Sequence, residues 1–329
     1  MHKSVFATLI ACTVLAHPGV AQARNILITN DDGLTSNVVA LHAALEAAGH
    51  DVIVSVPCRN QSGMGAAINI GRALAPLAQA CRNDAAQVGD PGAGAVTRAG
   101  YAAGDFFYID GTPVMALLHG LHQAETGRWG GRPDLVLSGP NEGQNVGAII
   151  LTSGTVSAAQ AAALQGLPAI ALSAGSNSDG GRDLANPLSA QVAVRVVELV
   201  AALEQKAGDG PLLPQGLALN VNFPDVLEGA QWRLTRIGSY NAYLPSYTPD
   251  MAAAASPAQR ESAAQRGIEL VSFPGINFDF NTAEPLPHQL ADESVVFRQH
   301  IAVSPMQAGY EAATAEDMVR WQLAALLGG

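Results

Sequence analysis

The chain has 329 residues, of which 48% are hydrophobic and 14% are charged, a balance typical of a globular protein with a large core. Its formal net charge of −11 excludes a general nucleic-acid-binding role, because that role needs clustered Lys and Arg. We therefore expect any bound phosphate to be met by backbone N–H groups, hydroxyls or a metal ion, and no nucleic-acid polymer to be a partner.

The first 23 residues have the pattern of a cleaved secretory signal. Lys3 gives a basic start, an apolar run covers 5–15, and small residues end the segment at Ala23. An alternative is lipoprotein processing at Cys12. We expect export to the periplasm or the medium with cleavage after Ala23, and no later segment is apolar for long enough to span a membrane.

The next 200 residues alternate strand-like and helix-like segments. The predicted strands are 26–29, 51–57, 107–109, 135–137 and 169–172, and the predicted helices are one after residue 35 that stops at Gly49, then 113–122, 153–164 and 188–205. Strand, helix and strand within about 30 residues form a βαβ unit. The pattern therefore predicts an α/β protein with a mostly parallel sheet.

Two regions depart from this alternation. Residues 71–105 are rich in Ala, Gly and Pro and are expected to form a variable excursion with at most a short hairpin. After residue 225, strand-like pieces at 232–235, 240–247, 269–273 and 295–303 surround an Ala-rich segment at 251–266, and a last helix is predicted at 315–327. We expect 226–329 to form a smaller, β-rich extension that serves oligomerisation and ends in a helix.

Asp31 and Asp32 directly follow the first strand, in a loop where Gly33 permits a sharp turn. Asp-Gly alone is also common in ordinary turns. Two adjacent carboxylates repel each other, however, and a divalent cation would neutralise both. Ligands of parallel sheets bind at the carboxyl ends of the strands, where polar loops are also predicted at 57–63, 138–147 and 152–155. Their carboxylates, hydroxyls and amides suit Mg²⁺ or Mn²⁺ better than Zn²⁺.

The predicted start of the helix at 153 has the features of an anion site. Ser153, Gly154 and Thr155 offer free backbone N–H groups, the positive end of the helix dipole and two hydroxyls. An ordinary N-cap is the alternative interpretation.

The sequence assigns no functional role to two further residue pairs. Cys58 and Cys81 can form a disulfide in an exported protein, but their spacing alone does not decide whether they do. Asp292 and Glu293 form a second acidic pair without a Gly-rich loop beside it, so we expect them at an exposed strand start.

The motifs occur in a specific order. They are ILITNDDG (26–33), RNQSG (59–63), GTP (111–113), PDLVLSGPN (133–141), GQNVG (143–147) and SGTV (153–156). This order resembles the SurE family of 5′/3′-nucleotidases. The resemblance implies a Rossmann-like, three-layer, doubly wound α/β domain at 24–225, and it departs from the family where Cys58 replaces a usual Asp.

The resemblance also implies an activity, namely metal-dependent hydrolysis of nucleoside 5′- or 3′-monophosphates by a homodimer or homotetramer. Asp31, Asp32 and Asn141 would carry the catalysis, and a divalent cation, Mg²⁺ or Mn²⁺, would be held by these three residues and Ser62. The residues implied to receive the phosphate are Ser62, Gly63, Asn145, Ser153, Gly154 and Thr155.

Two other functions stay open from the sequence. An exported binding protein could capture a phosphorylated small molecule through the same loops without hydrolysing it. The AGHDV run at 48–52 also occurs in nucleotide-sugar glycosyltransferases, but these need a second nucleotide-binding half after residue 180, which the Pro-interrupted tail does not supply.

Overall fold

The computed structural model describes residues 23–310 and 316–323. Its strands are β1 (Asn25–Thr29), β2 (Asp51–Pro57), β3 (Ala93–Ala95), β4 (Phe106–Ile109), β5 (Leu135–Glu142), β6 (Ala169–Ala174), β7 (Leu217–Asn222), β8 (Trp232–Leu234), β9 (Tyr243–Thr248), β10 (Gly275–Phe280) and β11 (Ile301–Gln307). Its α-helices are α1 (Ser36–Ala47), α2 (Pro113–Gln123), α3 (Gly154–Leu164), α4 (Pro187–Ala207), α5 (Met251–Ala254), α6 (Pro257–Arg266), α7 (Glu293–Val296) and α8 (Glu316–Gln322).

Nine of these strands form one sheet in the order β3-β4-β2-β1-β5-β6-β7-β11-β8. The six strands from β4 to β7 are parallel, whereas β3 and β11 run antiparallel to β4 and β7. The chain builds one half outward from β1 through β2 to β4, then returns to build β5, β6 and β7. The order therefore reverses between β1 and β5, which is where doubly wound sheets bind ligands.

Helices cover both faces of the sheet, because successive side chains of a strand point to opposite faces. Ile26 and Ile28 of β1 are fully buried in the cluster that α1 and α4 cover. Leu27, between them, is buried in the cluster that α2 and α3 cover. These three layers confirm the predicted Rossmann-like α/β fold. None of the described helices is long and apolar enough to cross a bilayer.

The predicted βα elements before residue 210 agree closely with the structure, except around β5. The segment from residue 138 was expected in a loop, whereas β5 continues to Glu142. Its pairing with β6 is irregular between Ser138 and Asn141, where Gly139 has φ +117° and precedes a cis Pro140. A strand with these breaks looks like a loop in the sequence.

The excursion at 71–105 contains one short strand, β3, which pairs antiparallel with β4 just beyond the excursion, so the stretch holds one arm of a hairpin. It is also tied to the end of β2, because Cys58 and Cys81 form a disulfide. The structure thus decides the question that their spacing left open.

The residues after 225 differ most from the predictions. The strand predicted at 269–273 is wrong, because the nearby strand β10 begins only at Gly275. The strand predicted at 295–303 is divided between α7 and β11. β8 and β11 join the main sheet, while β9 and β10 form a separate two-stranded ribbon. Residue 315 and residues 324–327 of the predicted last helix lie outside the described residues, as do residues 1–22 of the predicted leader, Cys12 included.

Candidate active site

Asp31 lies in a buried position between β1 and the start of α3. Its carboxylate oxygen Oδ1 accepts a hydrogen bond of 2.6 Å from Thr155 Oγ1, and the backbone N–H groups of Gly154 and Thr155 add further hydrogen bonds. Burial raises the pKa of Asp31, and these hydrogen bonds oppose the rise. The start of α3 therefore binds the Asp31 carboxylate and holds it in place.

Asp32 is equally buried and is held by two loops. Glu142 N donates to Asp32 Oδ2 over 2.9 Å, and Asn60 Nδ2 donates to Asp32 Oδ1 over 2.9 Å. Burial raises its pKa well above the usual range, and the neighbouring carboxylates of Asp31 and Glu142 raise it further. Two buried like charges at this place call for a positive partner.

Asn141 supplies an observation that identifies this partner. Its Nδ2 donates to Gly143 O over 2.7 Å, which fixes the amide so that Oδ1 points the other way. Oδ1 is buried and has no hydrogen-bond partner within the described part of the chain. Unpaired buried oxygens are rare, and the next residue, Glu142, binds Asp32 through its N–H, so Asn141 lies on the segment that meets the aspartate pair. An amide oxygen placed there is a suitable ligand for a hard divalent cation. The residues present therefore fit the group that the sequence predicts.

Arg82 is a cationic side chain in contact with the site. Its Nη1 donates to Asp32 O over 3.0 Å and its Nη2 to Glu142 Oε2 over 2.7 Å. Its own backbone N–H donates to Cys58 O over 2.7 Å, beside the disulfide. The disulfide therefore fixes the segment that brings Arg82 to the acidic loop.

The residues predicted to receive phosphate differ in burial. Ser153 is the N-cap of α3, where its Oγ accepts from Val156 N over 3.1 Å, and Thr155 is fully buried against Asp31. Ser62 and Gly63 are exposed in the loop after β2, where Ser62 N donates to Asn60 Oδ1 over 2.8 Å. The structure thus joins Asp31 to the start of α3 and leaves the loop at 62–63 open to solvent.

Asn145 is buried and forms part of a polar network behind the site. Its Nδ2 donates to Ser173 Oγ over 2.9 Å, and its N–H donates to Asn222 Oδ1 over 2.8 Å. Its carbonyl oxygen accepts from Asn220 and Asn222. Asn145 therefore joins the loop at 143–147 to β6 and β7. The roles predicted for it and for the other site residues stay predictions.

The expected exposure of Asp292 and Glu293 is wrong, because both are fully buried. Asp292 accepts from Arg236, Ser239 and Tyr240. Glu293 Oε1 accepts from Gly147 N over 3.0 Å and therefore holds the end of the 143–147 loop. The sequence hid this contact, since an acidic pair without a motif looks like a solvated surface.

Sequence analysis also missed Asn60, Arg82 and Glu142 as parts of the site. Asn60 lies in the RNQSG motif, so its place in a loop after β2 was a usable signal. Arg82 had none, because it reaches the site through the disulfide from a segment without periodicity.

Fold and site together define a doubly wound α/β protein with a buried pair of aspartates at the switch point of its sheet. The family model of the survival protein SurE matches residues 26–243, and the chain belongs to the SurE family. This confirms the resemblance that the motifs indicate.

Relatives from several bacteria are similar to this chain. The 5′-nucleotidase SurE of Sorangium cellulosum (strain So ce56) is 38% identical over 217 residues, which are 65% of this chain and 69% of that protein. The 5′-nucleotidase SurE of Geotalea uraniireducens (strain Rf4) is 35% identical over 202 residues, or 61% of this chain and 66% of that protein. The crystal structure of the Sure protein from Aquifex aeolicus is 25% identical, with a TM-score of 0.63 over 91% of this chain and 99% of that chain.

Proposed function

We propose that this chain is a metal-dependent phosphomonoesterase that hydrolyses nucleoside 5′- or 3′-monophosphates to nucleoside and phosphate. The observation that carries the proposal is the unpaired, buried Asn141 Oδ1, in the residue next to Glu142, whose N–H binds the buried carboxylate of Asp32. Two relatives that share the family bear the name 5′-nucleotidase, which supports the reaction class. The same names do not favour a glycosyltransferase or a binding protein without activity.

The cation site would be formed by Asp31, Asp32 and Asn141, with Ser62 as a fourth ligand from the loop after β2. A bound Mg²⁺ or Mn²⁺ supplies Lewis-acid polarisation of the phosphate and a water of lowered pKa. Asp31 needs no rearrangement to serve as a ligand, because Thr155 and the start of α3 already orient it. Such a preorganised site avoids reorganisation at the moment of reaction.

The start of α3 would also stabilise the negative charge that grows on the phosphate. The first N–H groups of α3 already bind Asp31 and Ser153, so it is the helix dipole that attracts the anion here. Ser153 lies at this end with its Oγ bound to Val156 N, so its hydroxyl hydrogen remains available to a phosphate oxygen. Arg82 adds a positive charge on the other side of Asp32.

Phosphate release tests the proposal. The mature protein is assayed on a panel of nucleoside monophosphates and on p-nitrophenyl phosphate, first with EDTA and then with added Mg²⁺ or Mn²⁺. We expect turnover only with metal, its loss in Asp32→Asn, and no change in Asp209→Asn, which alters an exposed carboxylate after α4. Saturable binding without turnover under every metal would instead support the binding protein.

We further propose that the protein is exported. The leader pattern and the disulfide between Cys58 and Cys81 support this, since disulfides persist in oxidising compartments. Amino-terminal sequencing of the protein from fractionated cells tests it. A terminus at Arg24 in the periplasm or medium is expected, a lipid-bearing Cys12 in the membrane fraction would indicate the alternative, and an intact Met1 in the cytosol would contradict export.

Self-association as a homodimer or homotetramer is proposed as well. The β9–β10 ribbon exposes Ile276, Phe278 and Phe280, which are 56%, 43% and 59% exposed. A two-stranded ribbon is marginally stable alone, and apolar side chains of this size favour burial against another copy. Sedimentation velocity of the wild type and of Phe278→Asp tests this, with a shift toward the monomer expected in the variant.

A further inference from the structure

We propose that the chain has a second cation site, formed by His42, Glu46 and Asp105 and suited to a borderline transition metal such as Zn²⁺. One ligand atom from each residue lies within 4.8 Å of the others. The proposal is independent of the proposed phosphatase function.

The position of these residues separates them from the acidic cleft. Asp105 directly precedes β4, and Asp51, nearby, is the first residue of β2. Both strands are parallel to β1, so these residues lie at the amino ends of the strands, whereas Asp31 and Asp32 lie at the carboxyl end. The two sites therefore lie at opposite ends of the parallel strands.

His42 provides the observation that points to a ligand. Its side chain is only 9% exposed, yet Nε2 has no hydrogen-bond partner within the described residues. The nearest acceptor is Glu46 Oε1 at 3.6 Å, which is too long for a hydrogen bond. Two ligands of one tetrahedral Zn²⁺ stand about 3.4 Å apart, given bonds of about 2.0–2.1 Å. The gap between the two atoms thus has the size that an ion would bridge.

The surroundings keep His42 in the state that a metal needs. Burial lowers the pKa of His42, which favours the neutral imidazole that a metal binds. The ring packs on Phe106 with 4.4 Å between centroids, which limits its rotation. Arg128 holds Asp105 in an ion pair and therefore positions the third ligand.

The local charge favours a divalent ion. Three carboxylates, those of Glu46, Asp51 and Asp105, face a single guanidinium, that of Arg128, which pairs with both aspartates. Two negative charges are left over when His42 is neutral. Glu46 also stands in the last turn of α1, where the helix dipole disfavours an anion and no basic residue compensates it. A Zn²⁺ ion would neutralise this excess.

The donor set separates this site from the first one. An imidazole nitrogen and two carboxylate oxygens are all Zn²⁺ ligands and leave a fourth position to water, whereas the first site offers oxygen alone. Mg²⁺ in excess should therefore occupy the first site without displacing Zn²⁺ from the second.

Zn²⁺ binding to the tag-free mature protein tests the proposal. Equilibrium dialysis is carried out in excess Mg²⁺, and Co²⁺ serves as a spectroscopic probe, since a four-coordinate site absorbs visible light much more intensely than an all-oxygen octahedral site. The variants are His42→Gln, Glu46→Gln and, as the matched control, His122→Gln, an exposed histidine of α2.

We expect one Zn²⁺ per chain in the wild type and in His122→Gln, and a loss of affinity of about tenfold or more in His42→Gln and Glu46→Gln. Glu46 is 40% exposed, so its variant decides the matter even when substitution of the buried His42 disturbs folding. The Co²⁺ band should vanish in the same two variants. Equal Zn²⁺ binding by all four proteins, or none by the wild type, would overturn the proposal.

Discussion

Gly154→Ala is the sharpest test of the idea that the start of α3 positions Asp31. A Cβ at residue 154 would lie 2.5 Å from Pro113 Cγ, 2.7 Å from Asp31 Cβ and 2.9 Å from Asp31 Oδ2. Ordinary contact begins at 3.4 Å, so Asp31 Cβ must move by about 0.7 Å, and overpacking of this kind costs about 1–3 kcal/mol of stability. Ala is otherwise the better helix former, so any destabilisation measures the clash.

The same shift acts on catalysis, because displacement of a catalytic group by about 1 Å lowers rates about 100-fold. We expect kcat/KM for the preferred nucleoside monophosphate to fall by about 10- to 100-fold in steady-state phosphate-release assays. Gly131→Ala is the control, since its Cβ would meet only Trp129 O at 3.9 Å. An unchanged kcat/KM in Gly154→Ala, with a stability equal to that of the wild type, would refute the role of this contact.

Three further predictions follow from the buried polar groups and the disulfide. Thr155→Val removes the 2.6 Å hydrogen bond to Asp31, so metal affinity and kcat/KM should fall together. Urea titration should show that the free energy of unfolding falls by about 1–3 kcal/mol. Unchanged kinetics would contradict this prediction. Burial raises the pKa of Glu293 to about 7. Its folded pKa lies above the unfolded one, so stability should decline by up to about 3 kcal/mol as pH rises from about 4.5 to 7, and Glu293→Gln should flatten this slope in urea titrations. The double variant Cys58→Ser/Cys81→Ser removes a disulfide between residues 23 apart and should lower the free energy of unfolding by about 3 kcal/mol. Activity should fall less, through displacement of Arg82. Equal melting temperatures of the wild type with and without reductant would argue against a stabilising disulfide.

The parts of the fold that are predictable from sequence are those in which one local signal dominates. β2 is found at its predicted bounds because its β-branched run ends at Pro57 and its neighbours on both sides are strands. α4 agrees to within two residues because Gly208, with φ +55°, ends its periodic pattern. In both elements, burial on the sheet reinforces what the residues favour locally.

The predictions fail where a distant partner decides the structure. The segment around Val295 is apolar and was predicted as a strand, but only residues 301–307 find a partner, β7, and the residues before them form α7. The strand at 138–142 is stable despite Gly139 and Pro140 because β6 pairs beyond the irregularity. Neither partner is visible within a window of ten residues.

The candidate site shows the same division. The approach of Asn141 to the aspartate pair follows from parallel strands ending at one edge, so a sequence pattern suffices to predict it. The contacts of Arg82 and Glu293 depend instead on a disulfide and on the late helix α7, and both arise only in the folded chain. What lies beside the site is therefore harder to predict than what lies within it.

The pairing of β7 with β11 has a consequence for the order in which the protein is assembled. One edge of β7 pairs with β6, which precedes it in the chain, whereas its other edge pairs with β11. The ribosome makes β11 only after β9 and β10 of the ribbon. Until then the nascent protein carries an unpaired β edge, a template for aggregation. Premature termination before residue 301 should thus yield insoluble product, because β7, which ends at Asn222, pairs along this edge only with the much later β11.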